Sequence, residues 1–489
     1  MSRNTGKTGI VYLVGAGPGH PGLITRMGYD LLQRCDAVAY DALIPPELIA
    51  ALPGRIERHY VGRRAGRHSM PQAEKNRLLV DLALRGLNVV RLKGGDTSFF
   101  GGSAEEAECL AAAGIPVVVV PGVTAASAVA SVSGLPLTDR RDASWVLFAT
   151  GHGSENTEVP VPWRDIAALP GGTLVIYMGL AKLESVVSRL LAGGYAEDRP
   201  CMVVQGATTG VQRIVSSTLH NVVADCRRKK LKPPAMVIVG PVVQRRTPIF
   251  TPAAALAGKR VLIPCCAQDA EAVGAALRDR GAEPLSYPAY SLEYCGDTAG
   301  WARFQKLAAR GGWCLFASET EVRFFTDALI RRRLDLRLLG KFKIAAIGRD
   351  TEAALRRRHI RADRCSQSGS RKPVPVNRSR SENLIVFSEE TPVDSGKWKE
   401  VLRLKLFRIK PASWESHWIQ EVRDNPPDFI LFRNAAEVEG LVAVFGREAV
   451  RELSGKCRII AEAEKAEAAA RRHGLTIRTG TADFKDLPG

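Results

Sequence analysis

Short runs of β-branched and other apolar residues recur along the first 250 residues, each followed by a glycine-rich turn and then a stretch with helical spacing. The pattern predicts strands at Ile10–Val14, Ala37–Tyr40, Asn88–Leu92, Pro116–Val120, Ser144–Ala149, Thr173–Tyr177, Met202–Val204 and Met236–Val239. Strands alternating with helices in this way are the signature of α/β layering. From Thr247 to Leu256 the pattern breaks into Pro248, Pro252 and a run of alanines, which reads as a linker. A fresh strand starts at Arg260-Val261-Leu262-Ile263. The expected division is therefore a first domain over 1–246 and a second over 256–489.

The second half carries a weak internal repeat. Leu315-Phe316-Ala317-Ser318-Glu319-Thr320-Glu321-Val322 recurs as Leu431-Phe432-Arg433-Asn434-Ala435-Ala436-Glu437-Val438, and Ile344–Arg357 aligns with Ile459–Arg472. Two similar α/β lobes follow from this, with the Ser-, Arg- and Pro-rich span from Arg364 to Glu382 as the exposed crossover between them.

A chain of 489 residues has room for about three or four domains, each with its own core. No stretch approaches the roughly 18 to 20 uninterrupted apolar residues of a membrane span, so no membrane partner is expected. Met1–Lys7 has no apolar core behind its positive charge, which argues against a signal peptide and for the cytoplasm. The ten cysteines lack CxxC spacing, and Cys265-Cys266 are adjacent. That arrangement suits reduced, mostly buried thiols better than a zinc site or a disulfide framework, and no metal is expected.

The net charge of +18, from 69 Lys and Arg against 51 Asp and Glu, changes the picture of the partner. Both halves are basic, and in the second the excess gathers at Arg356-Arg357-Arg358, Arg361, Arg364, Arg371-Lys372, Arg378 and Arg380. Solvated helix ends and loops, nucleic acid and a polyanionic small molecule all fit such a field. Nucleic acid is disfavoured by the lack of zinc-finger spacing, of an aromatic RNP-like strand and of a basic-region heptad pattern.

The chemistry-bearing loops follow predicted strands. Val11–Val14 runs into Gly15-Ala16-Gly17-Pro18-Gly19-His20-Pro21-Gly22. A dinucleotide fingerprint, with Asp41 reading a ribose, is one reading. Against it, Pro18 and Pro21 remove two amides and keep a helix from starting much before Leu23, so a rigid loop bordering a cleft fits better. Arg91-Leu92-Lys93-Gly94-Gly95-Asp96 and Val120-Pro121-Gly122-Val123-Thr124-Ala125-Ala126 repeat the strand-to-glycine form, as do Thr150-Gly151-His152 and Tyr177-Met178-Gly179. Open α/β sheets bind ligands at such strand C-termini.

With GAGPGxPG, VGxRAG, RLKGGD, PGVTAA, PLTxR, TGH and YMG in this order, residues 9 to about 243 resemble the uroporphyrinogen III C-methyltransferases, within the tetrapyrrole methylases. The resemblance implies two α/β lobes, S-adenosylmethionine in the cleft between them and a homodimer. It implies cofactor contacts from Pro18, Gly94, Gly95, Asp96, Phe99, Thr124, Ala125, Met178 and Ala207, the last standing where a glycine is usual. Asp41 matches the family's proton acceptor, and Arg63 stands where its proton donor, a lysine, is expected. Further departures are Thr97, Gly102 and Asp139, at positions where the family usually has proline, arginine and histidine. The loss of an arginine and a histidine and the gain of an aspartate weaken the attraction for carboxylates.

The second half resembles uroporphyrinogen III synthase, a two-lobed α/β enzyme, through Leu315-Phe316-Ala317-Ser318 and Ala345-Ala346-Ile347-Gly348-Arg349-Asp350-Thr351. The resemblance makes Ser318 and Thr351 substrate candidates. In the second lobe the corresponding Gly-x-x-Thr has become Ala463-Glu464-Lys465-Ala466, and Glu462 and Glu464 would repel a substrate carboxylate. The implied chemistry is transfer of two methyl groups to uroporphyrinogen III, a substrate of many carboxylates, to give precorrin-2 for siroheme or cobalamin. Two other readings stand: a C-terminal half that only binds tetrapyrrole or supports dimerisation, and an N-terminal half acting on a different tetrapyrrole.

Overall fold

Residues 8–62, 70–151, 161–247, 255–366, 382–387 and 398–479 are described by a computed structural model. The first lobe is a five-stranded sheet of β1 (Val11–Gly15), β2 (Ala37–Tyr40), β3 (Glu57–Tyr60), β4 (Val89–Lys93) and β5 (Val117–Val120). Its order is β3-β2-β4-β1-β5, and the paired strands are parallel. Helices cover it, so β2 and β4 are buried at every position. All strand C-termini of a parallel sheet end on one edge, and there the glycine-rich loops emerge.

The second lobe contains β6 (Trp145–Thr150), β7 (Gly172–Tyr177), β8 (Pro200–Gln205), β9 (Arg213–Thr218) and β10 (Ala235–Val239), in the order β6-β7-β10-β8-β9. Only β6 and β7 pair in parallel, and the other three pairings are antiparallel. Every predicted strand of the first half is present, with ends moved by at most two residues. The pattern missed β3 and β9. Both are edge strands and neither carries a continuous apolar run.

Beyond the expected linker, whose residues 248–254 lie outside the described ones, β11 (Arg260–Cys266) leads through a helix (Ala270–Asp279) to the long β12 (Glu283–Tyr294). A parallel sheet follows, built from β13 (Gly312–Phe316), β14 (Phe342–Ile347), β15 (Arg364–Ser366), β16 (Asn383–Val386) and β17 (Glu400–Arg403), in the order β15-β14-β13-β16-β17. After β18 (Phe407–Pro411), the strands β19 (Phe429–Phe432), β20 (Arg458–Ala461) and β21 (Ile477–Thr479) extend the sheet of β11. The expected crossover at 364–382 is thus corrected. Arg364–Ser366 pairs with β14, and β16 returns to the same sheet. The chain changes lobes through β12 and again after β18.

Among the described residues, those up to Ala289 together with those from Ser413 onward form one compact unit, and Tyr290–Ala412 form a second. The expected domain division at 246–256 therefore falls inside the first unit. One apolar cluster of that unit joins Val14, Leu32, Tyr40 and Leu48 of the first half with Leu262, Tyr287, Trp414 and Trp418 of the second. Across the same junction Arg278 pairs with the buried Glu47 at 2.9 Å, and His417 stacks on Tyr60 at 3.7 Å.

The internal repeat has a physical basis. Ser318 caps the helix Glu319–Arg331 by accepting from Glu321 N, and Asn434 caps Ala435–Phe445 by accepting from Glu437 N. The carboxylates of Glu321 and Glu437 in turn accept from the backbone N–H of Ala317 and Arg433. Both lobes thus start the helix after a core strand with the same reciprocal cap. No helix among the described residues is long and apolar enough to cross a membrane.

Candidate active-site cleft

Three strand-end loops of the first lobe are clasped together. Gly17 and Gly95 exchange backbone hydrogen bonds at 3.1 and 2.7 Å, and Ala16 N donates to Lys93 O at 2.8 Å. Asp96 is buried, and its carboxylate accepts from Ser98 N and from Gly122 N, both at 2.7 Å. Gly15 and Gly122 approach so closely that a Cβ on Gly122 would lie 2.8 Å from Gly15 Cα. Side chains are therefore excluded where the loops meet. Beside Gly94 and Gly95 the situation is the opposite. A Cβ on Gly94 would meet nothing nearer than Leu43 Cβ at 3.6 Å, and one on Gly95 nothing nearer than Ala125 N at 3.9 Å. The result is a rigid rim with bare, accessible backbone.

The second lobe closes this rim. Tyr177, at the end of β7, places its hydroxyl 2.6 Å from Thr124 Oγ1 and accepts from Ala126 N at 3.3 Å. Phe99 meets Phe148 edge-on at 5.5 Å, and Phe100 lies 4.8 Å from the Tyr177 ring. Thr208 Oγ1, on the loop between β8 and β9, accepts from His20 N at 3.1 Å. Phe99 and Met178 remain 39% and 50% exposed, large apolar side chains without full cover. Six non-glycine residues among the described ones have positive φ, and Phe100 (54°), Met178 (54°) and Thr208 (69°) are three of them. Such conformations cost on the order of 1 kcal/mol or more each and gather at ligand sites.

Asp41 follows β2, and the pairing of Tyr40 with Leu92 sets it level with the end of β4. Arg91 Nη2 donates to both its carboxylate oxygens, at 2.8 and 3.0 Å. The same guanidinium donates through Nε to Glu106 at 3.0 Å and through Nη1 to Leu92 O at 3.1 Å, and Lys93 donates to the other Glu106 oxygen. Arg91 and Glu106 are 2% and 0% exposed, whereas Asp41 keeps 25%. Burial pushes the Glu106 carboxyl up, but the charges and hydrogen bonds of Arg91 and Lys93 outweigh it and hold it below the ordinary value. A buried, charge-paired strand thus presents one partly open carboxylate to the cleft.

Of the expected residues, Gly94, Gly95, Asp96, Phe99, Thr124, Ala125 and Met178 come together here, Pro18 lies on the clasped first loop, and Ala207 is on the loop of Thr208. Asp96 is placed as a brace between loops. Arg63 and His152 lie outside the described residues. Ser318 serves as the helix cap, and Thr351 is buried with its hydroxyl donating to Ile347 O at 2.7 Å. Sequence reasoning gave no role to Arg91, Glu106, Tyr177 or Thr208. Charges inside an otherwise apolar strand were the available signal for Arg91 and Lys93.

Residues 10–223 match the family of tetrapyrrole (corrin/porphyrin) methylases, and residues 271–388 match uroporphyrinogen-III synthase (HemD). The siroheme synthase of Pseudomonas paraeruginosa is 47% identical over 239 residues, 49% of this chain and 51% of that protein. The siroheme synthase of Azotobacter vinelandii is likewise 47% identical, over 238 residues and the same shares. The chain spans about half the length of the curated relatives it matches. A solved uroporphyrin III C-methyl transferase from Thermus thermophilus is 39% identical and covers 48% of this chain and 100% of its own, with a TM-score of 0.42. The chain is thus similar to tetrapyrrole methylases over residues 10–223 and to uroporphyrinogen-III synthase over residues 271–388.

Proposed function

We propose that the N-terminal half transfers methyl groups from S-adenosylmethionine to ring carbons of uroporphyrinogen III, giving precorrin-2. The observation that carries this reading is the bare backbone at Gly94 and Gly95, on the strand-end rim that also carries Asp41 and is joined by the exposed Phe99 and Met178. The residues present fit the cofactor. With no side chain at Gly94 or Gly95, an amino-acid moiety or an adenine edge can approach the backbone closely, and Phe99 and Met178 offer apolar cover. When bound, the sulfonium supplies an electrophilic methyl group.

The chain's own contribution is alignment, exclusion of water and removal of one proton. Asp41 takes the proton that leaves the ring after the new carbon–carbon bond forms. Arg91 keeps that carboxylate aimed and is itself fixed by Glu106. Arg63, as a guanidinium, stays charged and cannot donate a proton, so its role is to hold a substrate carboxylate. The relatives' printed name, siroheme synthase, favours siroheme as the end product, and the homodimer belongs to the same proposal.

For the C-terminal half a non-catalytic role is the better reading. The Ser318 and Thr351 hydroxyls are engaged within their own lobe, and the second-lobe helix starts at Glu464 from Ala463, which offers no side-chain cap. Incubation with uroporphyrinogen III and methyl-labelled S-adenosylmethionine, followed by mass analysis, tests the main reading. Two labelled methyl groups on the tetrapyrrole are expected, and an unlabelled tetrapyrrole with an intact protein would overturn it.

A further inference from the structure

All the loops expected to touch the cofactor lie before residue 210, yet one of them is held from beyond residue 256. The loop between β8 and β9 carries Gly206, Ala207, Thr208, Thr209 and Gly210. On its inner side it packs on the first glycine-rich loop. Thr208 Oγ1 accepts from His20 N, and a Cβ on Gly19 would lie 3.1 Å from Thr209 Cγ2 and 3.2 Å from Thr208 Oγ1. On its outer side it meets the C-terminal half. Gly210 N donates to Glu283 Oε2 at 2.8 Å, and Gly210 O accepts from Gly258 N at 3.0 Å. The backbones touch there: a Cβ on Gly210 would fall 2.2 Å from the Ala282 carbonyl carbon. Glu283 is the first residue of β12, anchored through its own N–H to Lys259 O at 2.7 Å.

We infer that Glu283 is a positioning residue of the methylase cleft, holding the Ala207 loop against the first glycine-rich loop through Gly210. The inference rests on the cofactor reading above. The loop has few other supports. Gly206 N donates to Pro234 O at 3.0 Å and ties the loop's start to the second lobe, whereas the bonds of Thr209 N and Oγ1 to Gly206 O and of Thr208 N to Gln212 Oε1 only close the turn on itself. Thr208 is held at φ 69°, a conformation that persists only when its surroundings enforce it. His20 from one side and Glu283 with Gly258 from the other are those surroundings. Burial pushes the Glu283 carboxyl up to about 7, so a large neutral fraction accepts this bond at neutral pH and glutamine can replace it.

The test uses the full chain and calorimetric titration with S-adenosylmethionine. Glu283→Ala is expected to weaken binding about tenfold, the size of one lost hydrogen bond in the loop. Turnover at saturating cofactor should stay within about twofold of the parent, so KM moves and kcat does not. Glu283→Gln should restore affinity, and Gly210→Ala, which must displace the Ala282 backbone, should reproduce the loss. Hydrogen exchange of the peptide covering 205–212 should quicken in Glu283→Ala and not in Glu283→Gln, with or without cofactor. A folded Glu283→Ala with unchanged affinity and unchanged exchange would overturn the inference. Failure of the unaltered chain to bind S-adenosylmethionine would sink the cofactor reading instead, while the exchange measurement still judges the clamp.

Discussion

The buried charges under Asp41 make a quantitative prediction. Glu106 is fully buried between Arg91 and Lys93, and Arg91 divides its donors between Glu106, Asp41 and the Leu92 carbonyl. Arg91→Met removes the guanidinium and keeps a similar apolar stem. Breaking a buried ion pair costs about 3–5 kcal/mol, because the remaining charge stays in a poor dielectric. Lys93 still neutralises Glu106, which places the expected loss near the lower end, about 3 kcal/mol. Glu106→Gln should cost a similar amount, since Lys93 then lacks its counter-charge while Arg91 keeps Asp41. In the double variant the shared interaction is lost only once. Its cost should fall short of the sum of the singles by about 2 kcal/mol.

The assay is urea-dependent hydrogen exchange of peptides from β1 and β4, which follows unfolding of the first sheet separately from the rest. Turnover should split the two single variants. Arg91→Met frees the Asp41 carboxylate from its aim and should slow methylation about a hundredfold, the usual result of misplacing a reacting group by an ångström. Glu106→Gln leaves Arg91 Nη2 on Asp41 and should slow it less than about tenfold. Additive singles to within about 0.5 kcal/mol, or equal turnover in the two variants, would refute the picture of one coupled network.

Other expectations are more direct. Asp41→Asn keeps the shape and removes the base, so turnover should fall about 10²- to 10⁴-fold while tetrapyrrole affinity, measured by fluorescence quenching, is largely retained. Arg63→Ala should weaken that affinity and Arg63→Lys should keep or raise methylation in steady-state kinetics. Burial pushes the Glu321 carboxyl up from 4.5 to about 7, with only the Ala317 N–H opposing it. Between those values the native state keeps a proton that the unfolded state has lost, so this group lowers stability as pH rises through the window and adds nothing further above it. Glu321→Gln should therefore gain roughly 2–3 kcal/mol relative to the parent between pH 5 and 8 in denaturation curves. With hydroxymethylbilane as substrate, the full chain should not form the type III isomer at an enzymatic rate by chromatographic assay.

The legible and illegible parts of the fold divide along a physical line. β2 was read to the residue because Ala37–Tyr40 is buried at all four positions, and a strand covered on both faces shows as an unbroken apolar run. β3, Glu57-Arg58-His59-Tyr60, is half-buried throughout at the sheet edge, and three polar residues, among them Glu57 paired with Arg85, interrupt any apolar run. The lobe crossover was misplaced because the repeat shows which segments are alike and not which sheet each strand joins. In the site, local motifs revealed the loops that end strands, since glycine is demanded where Gly15 and Gly122 nearly touch. The partners that fix those loops are distant in sequence. Arg91 reaches Asp41 across 50 positions, Tyr177 reaches Thr124 across 53, and Glu283 reaches Gly210 across 73.

This last separation bears on what the C-terminal half is for. A second enzyme joined by a simple tether would bury its own core and leave the first domain's loops alone. Here Tyr40 and Leu48 share an apolar cluster with Trp414 and Trp418, and Arg278 supplies the counter-charge of the buried Glu47. Removing the C-terminal half would expose that apolar surface and take away both the cover and the counter-charge of Glu47, so the first half alone should be less stable. The hydroxyls that a synthase reading would assign to substrate are spent on a helix cap and a backbone carbonyl. Its contacts with the first half are, by contrast, well made. On the reading proposed above, these contacts make the C-terminal half part of the framework that holds the cleft of the first half.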